Sequence, residues 1–106
     1  MSHPIPFPQR ALSATELTAQ LGQLNGAQTP GWQLTHDALE KTFSFENYYE
    51  TLSFVNAVAF IAHAQDHHPE LAVSFGRCTV RWNTHDVQGI SIKDFVCASK
   101  IDALLA

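Results

Sequence analysis

The chain lacks the features that mark several large classes of protein. Its two cysteines, Cys78 and Cys97, have neither C-x-x-C spacing nor the density of a disulfide-rich secreted domain. Both lie in apolar patterns, so we interpret them as buried free thiols. No apolar run approaches the roughly 18 residues of a membrane span, and the N-terminus has no basic start or long apolar core of a signal peptide. We therefore expect a cytoplasmic protein that does not contact a membrane.

Positive charge is also scarce. Six lysines and arginines stand against ten aspartates and glutamates, giving a formal net charge of −4, and they form no basic run. A phosphate backbone must be met by clustered positive charge, so direct binding of nucleic acid is not expected. The hydrophobic share of 45% and the charged share of 15% are typical of a globular chain.

The length of 106 residues is enough for one hydrophobic core but not for two. Three prolines in alternate positions keep the start of the chain extended, because proline disfavours both helix and regular strand pairing. We therefore predict an extended N-terminal arm over 1–11 and a single domain over 12–106.

Capping residues predict three helices. Residues 13–16 form a capping box that opens the first helix, and Asn25-Gly26 ends it. Asn47 caps a second helix that runs to about Asp66, and residues 91–94 open the third. The apolar face of the second helix is predicted to comprise Leu52, Val55, Ala59 and Ala62, widened by Phe54, Val58 and Ile61. The predicted apolar face of the third helix comprises Ile92, Phe95, Val96, Ile101, Leu104 and Leu105.

Period-two alternation predicts two hairpins. The first joins strands over about 32–36 and 39–46 across Asp37-Ala38. In the second, Gly76-Arg77 is the turn, which makes Phe75 and Cys78 cross-strand partners and puts both apolar rows on one face. The order α-β-β-α-β-β-α predicts an α+β fold, a two-layer sandwich of a four-stranded antiparallel sheet with three helices on one face.

Histidine is concentrated in one part of the chain. Four of the six histidines are His63, His67, His68 and His85. The first two are four apart, so they share a face of the second helix, and His85 follows the last strand. If this strand and this helix end on the same side of the layer, three imidazoles converge on one cleft, where their pKa values suit proton transfer or metal binding.

Three interpretations of these histidines carry about equal weight. Two histidines at i and i+4 with a distant third resemble a catalytic zinc site, although Ala64 stands where zinc proteases have glutamate. Each histidine could instead be a helix-end or turn residue, where a cation near a helix C-terminus gains about 0.3–1 kcal/mol. The third interpretation is metal-free acid–base catalysis. Taken alone, Asp94 is a helix-capping carboxylate, and Trp32 and Phe75 are core residues.

The chain nevertheless resembles a known family, the pterin-4a-carbinolamine dehydratases, also called dimerization cofactors of a liver homeodomain factor. The resemblance runs from Gly31-Trp32 to the last helix, and Thr84-His85-Asp86-Val87 with Gly89 is also similar to the family. Its signature has fixed gaps of three, five, nine and eight residues between its successive parts, which are His63, His67-His68-Pro69, Phe75, His85 and Asp94.

The resemblance implies a lyase that dehydrates 4a-hydroxytetrahydropterin, the product of aromatic amino acid hydroxylases, to quinonoid dihydropterin. It implies that no metal or other cofactor is needed, since the pterin is the substrate. The implied catalytic residues are His67, His68, His85 and Asp94. The implied substrate-binding residues are His63, Pro69, Phe75 and Trp32, the last two as walls of the pterin pocket.

Two departures from the family pattern concern His63, where many members have a carboxylate, and Leu71, where many have tryptophan. The family also implies a homodimer or homotetramer, with phenylalanine hydroxylase as a possible partner. An alternative function is that of a non-enzymatic, oligomeric binding partner of a transcription factor or hydroxylase.

Overall fold

The computed structural model describes residues 9–106, so the three prolines of the predicted arm lie outside the described residues. The predicted order α-β-β-α-β-β-α is confirmed, with three helices and a four-stranded antiparallel sheet. The elements are α1 (Ala14–Asn25), β1 (Gln33–Thr35), β2 (Ala38–Ser44), α2 (Tyr48–Gln65), β3 (Glu70–Ser74), β4 (Arg77–Trp82) and α3 (Ile92–Leu104), with a 3₁₀ helix (His85–Val87) before α3. Between Gln9 and Ala106, none of the helices combines the length and the apolar character that crossing a bilayer requires.

The sheet has one apolar and one polar face. Its strands lie in the order β1-β2-β4-β3, and every neighbouring pair is antiparallel. Because side chains alternate along a strand, the two central strands bury one row of side chains: Leu39, Phe43, Cys78, Val80 and Trp82. The opposite face carries polar pairs, among them Thr42 with Thr79 and Glu40 with Arg81. Helices α2 and α3 pack on the sheet and α1 packs on α3, which confirms the two-layer sandwich.

The first hairpin turn lies one residue earlier than predicted. It consists of His36 and Asp37, which have φ angles of 49° and 62°, and not of Asp37 and Ala38. Asparagine and aspartate tolerate this left-handed conformation better than most residues do. The shift leaves Ala38 inside β2, where it is buried.

The second hairpin turn consists of Phe75 and Gly76, so the predicted pairing of Phe75 with Cys78 is wrong. Cys78 pairs with Val73 instead. Gly76 lies directly against β2, because its carbonyl accepts the amide of Phe45 at 2.8 Å, and a Cβ on Gly76 would lie 2.9 Å from the Phe45 carbonyl oxygen. The register differs from the prediction by two residues, so the apolar rows of β3 and β4 still share one face.

The helix starts agree with their predicted caps. Ser13 and Glu16 form the expected capping box, in which the Glu16 amide donates to Ser13 Oγ at 3.2 Å and the Ser13 amide donates to Glu16 Oε1 at 2.9 Å. Asn47 Oδ1 accepts the amide of Glu50 at 2.9 Å. These bonds form between neighbours in the chain, which is why the sequence alone could predict them.

The buried sides of α2 and α3 differ in part from the predicted faces. Helix α2 buries Thr51, Phe54, Val58 and Ala62, whereas Ala59 is exposed. Thr51 is accommodated because its hydroxyl donates to the carbonyl of Phe75 at 2.9 Å. On α3 the predicted core residues Val96, Leu104 and Leu105 are exposed, while the helix buries Asp94, Phe95, Cys97, Ala98 and Ile101.

Both cysteines are free and fully buried, so we predict that neither thiol is reactive in the native protein. Burial raises the pKa of Cys78, and burial together with the nearby Asp94 carboxylate raises the pKa of Cys97 to about 12. Because the thiolate is the reactive form, a thiol-specific reagent at neutral pH should label neither cysteine in buffer and both in denaturant. Rapid labelling under native conditions, measured by mass spectrometry, would contradict this packing.

Candidate active site

Helix α2 ends in a turn that carries His67 away from the helix axis. Asp66 is left-handed, with a φ angle of 51°, its amide donates to the carbonyl of His63, and the amide of His67 donates to the carbonyl of Ala62 at 3.0 Å. These two bonds are those of a Schellman ending. The expectation that His63 and His67 share a helical face is therefore wrong. His63 is exposed on the last turn of α2, whereas the side chain of His67 is only 12% exposed.

Two contacts hold the imidazole of His67. Its Nε2 lies 2.5 Å from Oδ1 of Asp94. Its ring stacks on the indole of Trp82, with ring centroids 5.5 Å apart and an interplanar angle of 11°. The hydrogen bond sets the direction in which the ring points and the stack sets its plane, so the orientation of His67 is determined.

Asp94 is fully buried at the start of α3 and accepts hydrogen bonds from three elements. Its Oδ2 accepts the backbone amide of Ser91 at 2.9 Å and the hydroxyl of Thr84 at 2.8 Å, while Oδ1 contacts His67. The sequence suggested either a capping role or a position near the histidines for this residue, and the geometry combines the two. A buried carboxylate is stable only when such donors replace its water.

The pattern of donors and acceptors assigns a proton on His67. A carboxylate has no hydrogen to donate, so Nε2 of His67 is the donor in its bond with Asp94. In the neutral ring this leaves the lone pair on Nδ1, and in the charged ring both nitrogens carry protons. Asp94 therefore selects one tautomer of His67.

His85 lies in the loop between β4 and α3. The loop is closed by Thr84 and Gly89, where the Thr84 amide donates to the Gly89 carbonyl at 2.8 Å. Within it, the His85 side chain is exposed at the start of the 3₁₀ helix. An open hollow of about 330 Å³ lies beside it, lined by Asp37, Asn83, Thr84, His85, Gln88 and Gly89.

His68 lies at the same end of the sheet as His85. It is exposed, and Pro69 leads from it into β3, whose first residue Glu70 pairs with Arg81 near the end of β4. The ends of α2 and β4 thus meet at one end of the sheet, which is the arrangement that the predicted convergence of the histidines requires. A continuous chain of contacts runs from His67 through Asp94 to Thr84, the residue before His85. The hollow beside His85 is not lined by His63, His67 or His68.

Trp32 and Phe75 lie elsewhere. Trp32 is 1% exposed in the core, and its indole N–H donates to the carboxylate of Asp102 at 3.0 Å, two turns along α3 from Asp94. Phe75 lies in the turn at the opposite end of β3 and β4, where it stacks against Tyr48 with ring centroids 6.4 Å apart. Neither is brought to the histidines within one chain.

No group of three histidine, cysteine or acidic side chains within residues 9–106 is arranged as metal ligands would be. The sequence interpretation that invoked zinc therefore gains no geometric support from this part of the chain.

Three residues of this network were not among the predicted site residues: Trp82, Thr84 and Ser91. Trp82 is the last residue of the buried row on β4, and Ser91 belongs to residues 91–94, which were predicted to open the third helix. The available signal was the position of Thr84, which immediately precedes the candidate His85. A buried polar residue next to a candidate catalytic residue is a reason to look for a supporting hydrogen bond.

Comparison with known proteins gives a consistent result. The family model for pterin 4 alpha carbinolamine dehydratase matches residues 10–104. A protein of Paracidovorax citrulli, named provisionally as a pterin-4-alpha-carbinolamine dehydratase, is 59% identical over 102 residues, which cover 92% of this chain and 84% of that one.

Two solved structures are similar in fold. The crystal structure of a transcriptional coactivator/pterin dehydratase from Brucella melitensis has a TM-score of 0.82 and 27% identity, covering 92% of this chain and 100% of that one. A pterin dehydratase-like protein described as a RuBisCO assembly factor in the alpha-carboxysome has a TM-score of 0.58 and 21% identity, covering 70% of this chain and 86% of that one. The family match over almost the whole described chain places this protein in the pterin-4a-carbinolamine dehydratase family.

Proposed function

We propose that this protein is a hydro-lyase that converts 4a-hydroxytetrahydropterin to quinonoid dihydropterin by histidine acid–base catalysis. Family membership supports the reaction class. The observation that carries the mechanism is the bond between His67 Nε2 and Asp94 Oδ1. This bond lies at the end of the sheet where His68 and His85 are exposed. One imidazole of fixed orientation, that of His67, at the same end of the sheet as the exposed His68 and His85 suits a reaction that needs only proton transfers.

The reaction itself calls for one acid and one base. The bond between C4a and its hydroxyl oxygen breaks as that oxygen receives a proton and leaves as water. The proton on N5 goes to the base, and its electron pair forms the double bond between N5 and C4a. Imidazolium can supply the first proton and neutral imidazole can accept the second near neutral pH.

We assign the direct proton transfers to His68 and His85, and the orientation of the pterin ring to His67. The first two are exposed and can approach a ligand, and His85 borders a hollow that is also lined by the polar side chains of Asp37 and Gln88. His67 is committed to Asp94 through Nε2, so Nδ1 is the atom it can offer. His63 and Pro69 flank these groups and are proposed to contact the substrate.

The proposal needs no metal and no bound cofactor, since the chain's own imidazoles supply both proton transfers. In this scheme the enzyme recycles the pterin that an aromatic amino acid hydroxylase oxidises, and phenylalanine hydroxylase is the partner enzyme we propose. Two free buried thiols suit a reducing compartment such as the cytoplasm. We also propose a homodimer or homotetramer, because β1 and β3 form the two edges of the sheet and each has a side that no residue from 9 to 106 pairs with.

Binding of a protein partner is the second candidate function. Helix α2 exposes large aromatic side chains, with Tyr49 82% and Phe60 77% exposed, and the Brucella relative is described as a transcriptional coactivator as well as a dehydratase. The histidines separate the two functions, since partner binding should persist in a variant that lacks His85 and dehydration should not.

We predict that His85→Ala lowers kcat for carbinolamine dehydration by about 10²–10⁴-fold, the usual contribution of one general acid or base. The rate is measured by stopped flow with 4a-hydroxytetrahydropterin, and circular dichroism checks the fold. His36→Asn is the matched control, because His36 is an exposed histidine whose positive φ angle asparagine accepts. A His85→Ala enzyme as fast as the control, or a wild type no faster than buffer, would refute the assignment.

We also predict that Asp94→Asn lowers kcat by roughly 10²–10⁴-fold while the protein still folds. The amide oxygen can replace Oδ2 as the acceptor for Thr84 and Ser91, which turns the NH₂ group toward His67. Nε2 must then become the acceptor, so the ring changes tautomer and Nδ1 loses its lone pair.

Nitrogen-15 NMR of the imidazole ring measures this change directly, alongside kcat. The control is Glu70→Gln, which removes one negative charge at an exposed position three residues after His67. An Asp94→Asn protein with the wild-type tautomer and wild-type kcat would contradict the proposed role of the carboxylate.

A further inference from the structure

Two buried hydroxyl groups lie behind the carboxylate of Asp94. Thr84 is 5% exposed and Ser91 is 0% exposed, and their Oγ atoms are 2.7 Å apart. Thr84 Oγ1 is also 2.8 Å from Oδ2 of Asp94. A buried hydroxyl without a partner costs about 1–3 kcal/mol, so these bonds satisfy both groups.

Counting protons gives the direction of every bond in this network. A threonine hydroxyl has one hydrogen, and because a carboxylate only accepts, that hydrogen points to Asp94. In the contact between the two hydroxyls, Ser91 must then be the donor. The chain of donation runs from Ser91 to Thr84 to Asp94, and His67 donates to the other oxygen of the same carboxylate.

Thr84 is itself held in place by the backbone. Its amide and carbonyl both bond to Gly89, at 2.8 Å and 3.4 Å, which closes the loop that contains His85. Threonine is branched at Cβ and has few accessible rotamers. Its hydroxyl is therefore a fixed point, and the adjacent residue along the chain is His85.

We propose that Thr84 is a positioning residue that links His67 to His85. Its hydroxyl holds Oδ2 of Asp94, so that Oδ1 faces His67 and selects the Nε2–H tautomer. Its backbone bonds to Gly89 fix the position of the chain directly before His85. Thr84 is not assigned any contact with the reacting atoms. The catalytic consequence rests on the proposed dehydratase function, whereas the effect on the His67 tautomer does not.

The test compares Thr84→Val, which keeps the shape and removes the hydroxyl, with Thr84→Ser, which restores the hydroxyl. The matched control is Thr79→Val on β4, whose hydroxyl pairs with Thr42 on the polar face of the sheet. Nitrogen-15 NMR of His67 at mildly alkaline pH reports the tautomer and the protection of the Nε2 proton from exchange with water. Stopped-flow dehydration gives kcat and KM for each variant.

We expect Thr84→Val to mix the His67 tautomers, to speed exchange of the Nε2 proton, and to lower kcat by roughly 10–100-fold with little change in KM. This range corresponds to the loss of one hydrogen bond to a charged group. Thr84→Ser should restore all three properties, and Thr79→Val should leave them unchanged. A folded Thr84→Val protein with wild-type His67 signals and kcat would overturn the proposal.

Two further readouts keep the test decisive. If Thr84→Val does not fold, the wild-type spectrum decides, because an Nδ1–H tautomer in the native protein is incompatible with the network. Suppose that neither the wild type nor any variant dehydrates the pterin, but that Thr84→Val still alters the NMR signals of His67. The proposed dehydratase function then fails, whereas the positioning role of Thr84 stands. An active Thr84→Val enzyme with unaltered His67 signals refutes the positioning role alone.

Discussion

The burial of the Asp94 carboxylate is the constraint on which the site depends. A charge without access to water is tolerated only if hydrogen-bond donors surround it, and here the donors come from the end of α2, the end of β4 and the start of α3. Removing any one of these contacts leaves buried charge less well compensated. The same bonds that stabilise the packing of the three elements therefore set the geometry of the candidate active site.

The candidate site combines buried, fixed side chains with exposed ones at one end of the sheet. Asp94, Thr84 and Ser91 are buried, and the His67 ring is held between Asp94 and Trp82. In contrast, His68 and His85 reach solvent. Acid–base catalysis needs proton donors and acceptors that reach the substrate, in an orientation that is set before the substrate binds. In the mechanism that we propose, the buried polar network orients His67 and leaves the exposed surface at His68 and His85 open to a ligand.

The sequence alone predicts more of the fold than of the candidate site. The caps at Ser13 and Asn47 involve neighbours in the chain, so the sequence contains all the information that they need. The second hairpin turn differs from its prediction, and there the backbone of Gly76 bonds to Phe45, a contact between separate parts of the chain. His67 was assigned to the helical face of His63, yet one left-handed residue at Asp66 turns it inward. The bond from Thr84 to Asp94 joins residues of separate elements, and the sequence signals it only through the position of Thr84 next to His85.

The two constraints on His67 also bear on the division of roles that we propose among the histidines. A ring that donates or accepts a proton must lie within hydrogen-bond reach of the substrate atom, about 2.6–3.2 Å away. For His67, rotation would break the bond to Asp94, and tilting would break the stack on Trp82. His68 and His85 are exposed, so a ligand can approach their rings. The fixed ring of His67 thus supports its proposed role in orienting the ligand, and the accessibility of His68 and His85 supports the proton transfers proposed for them.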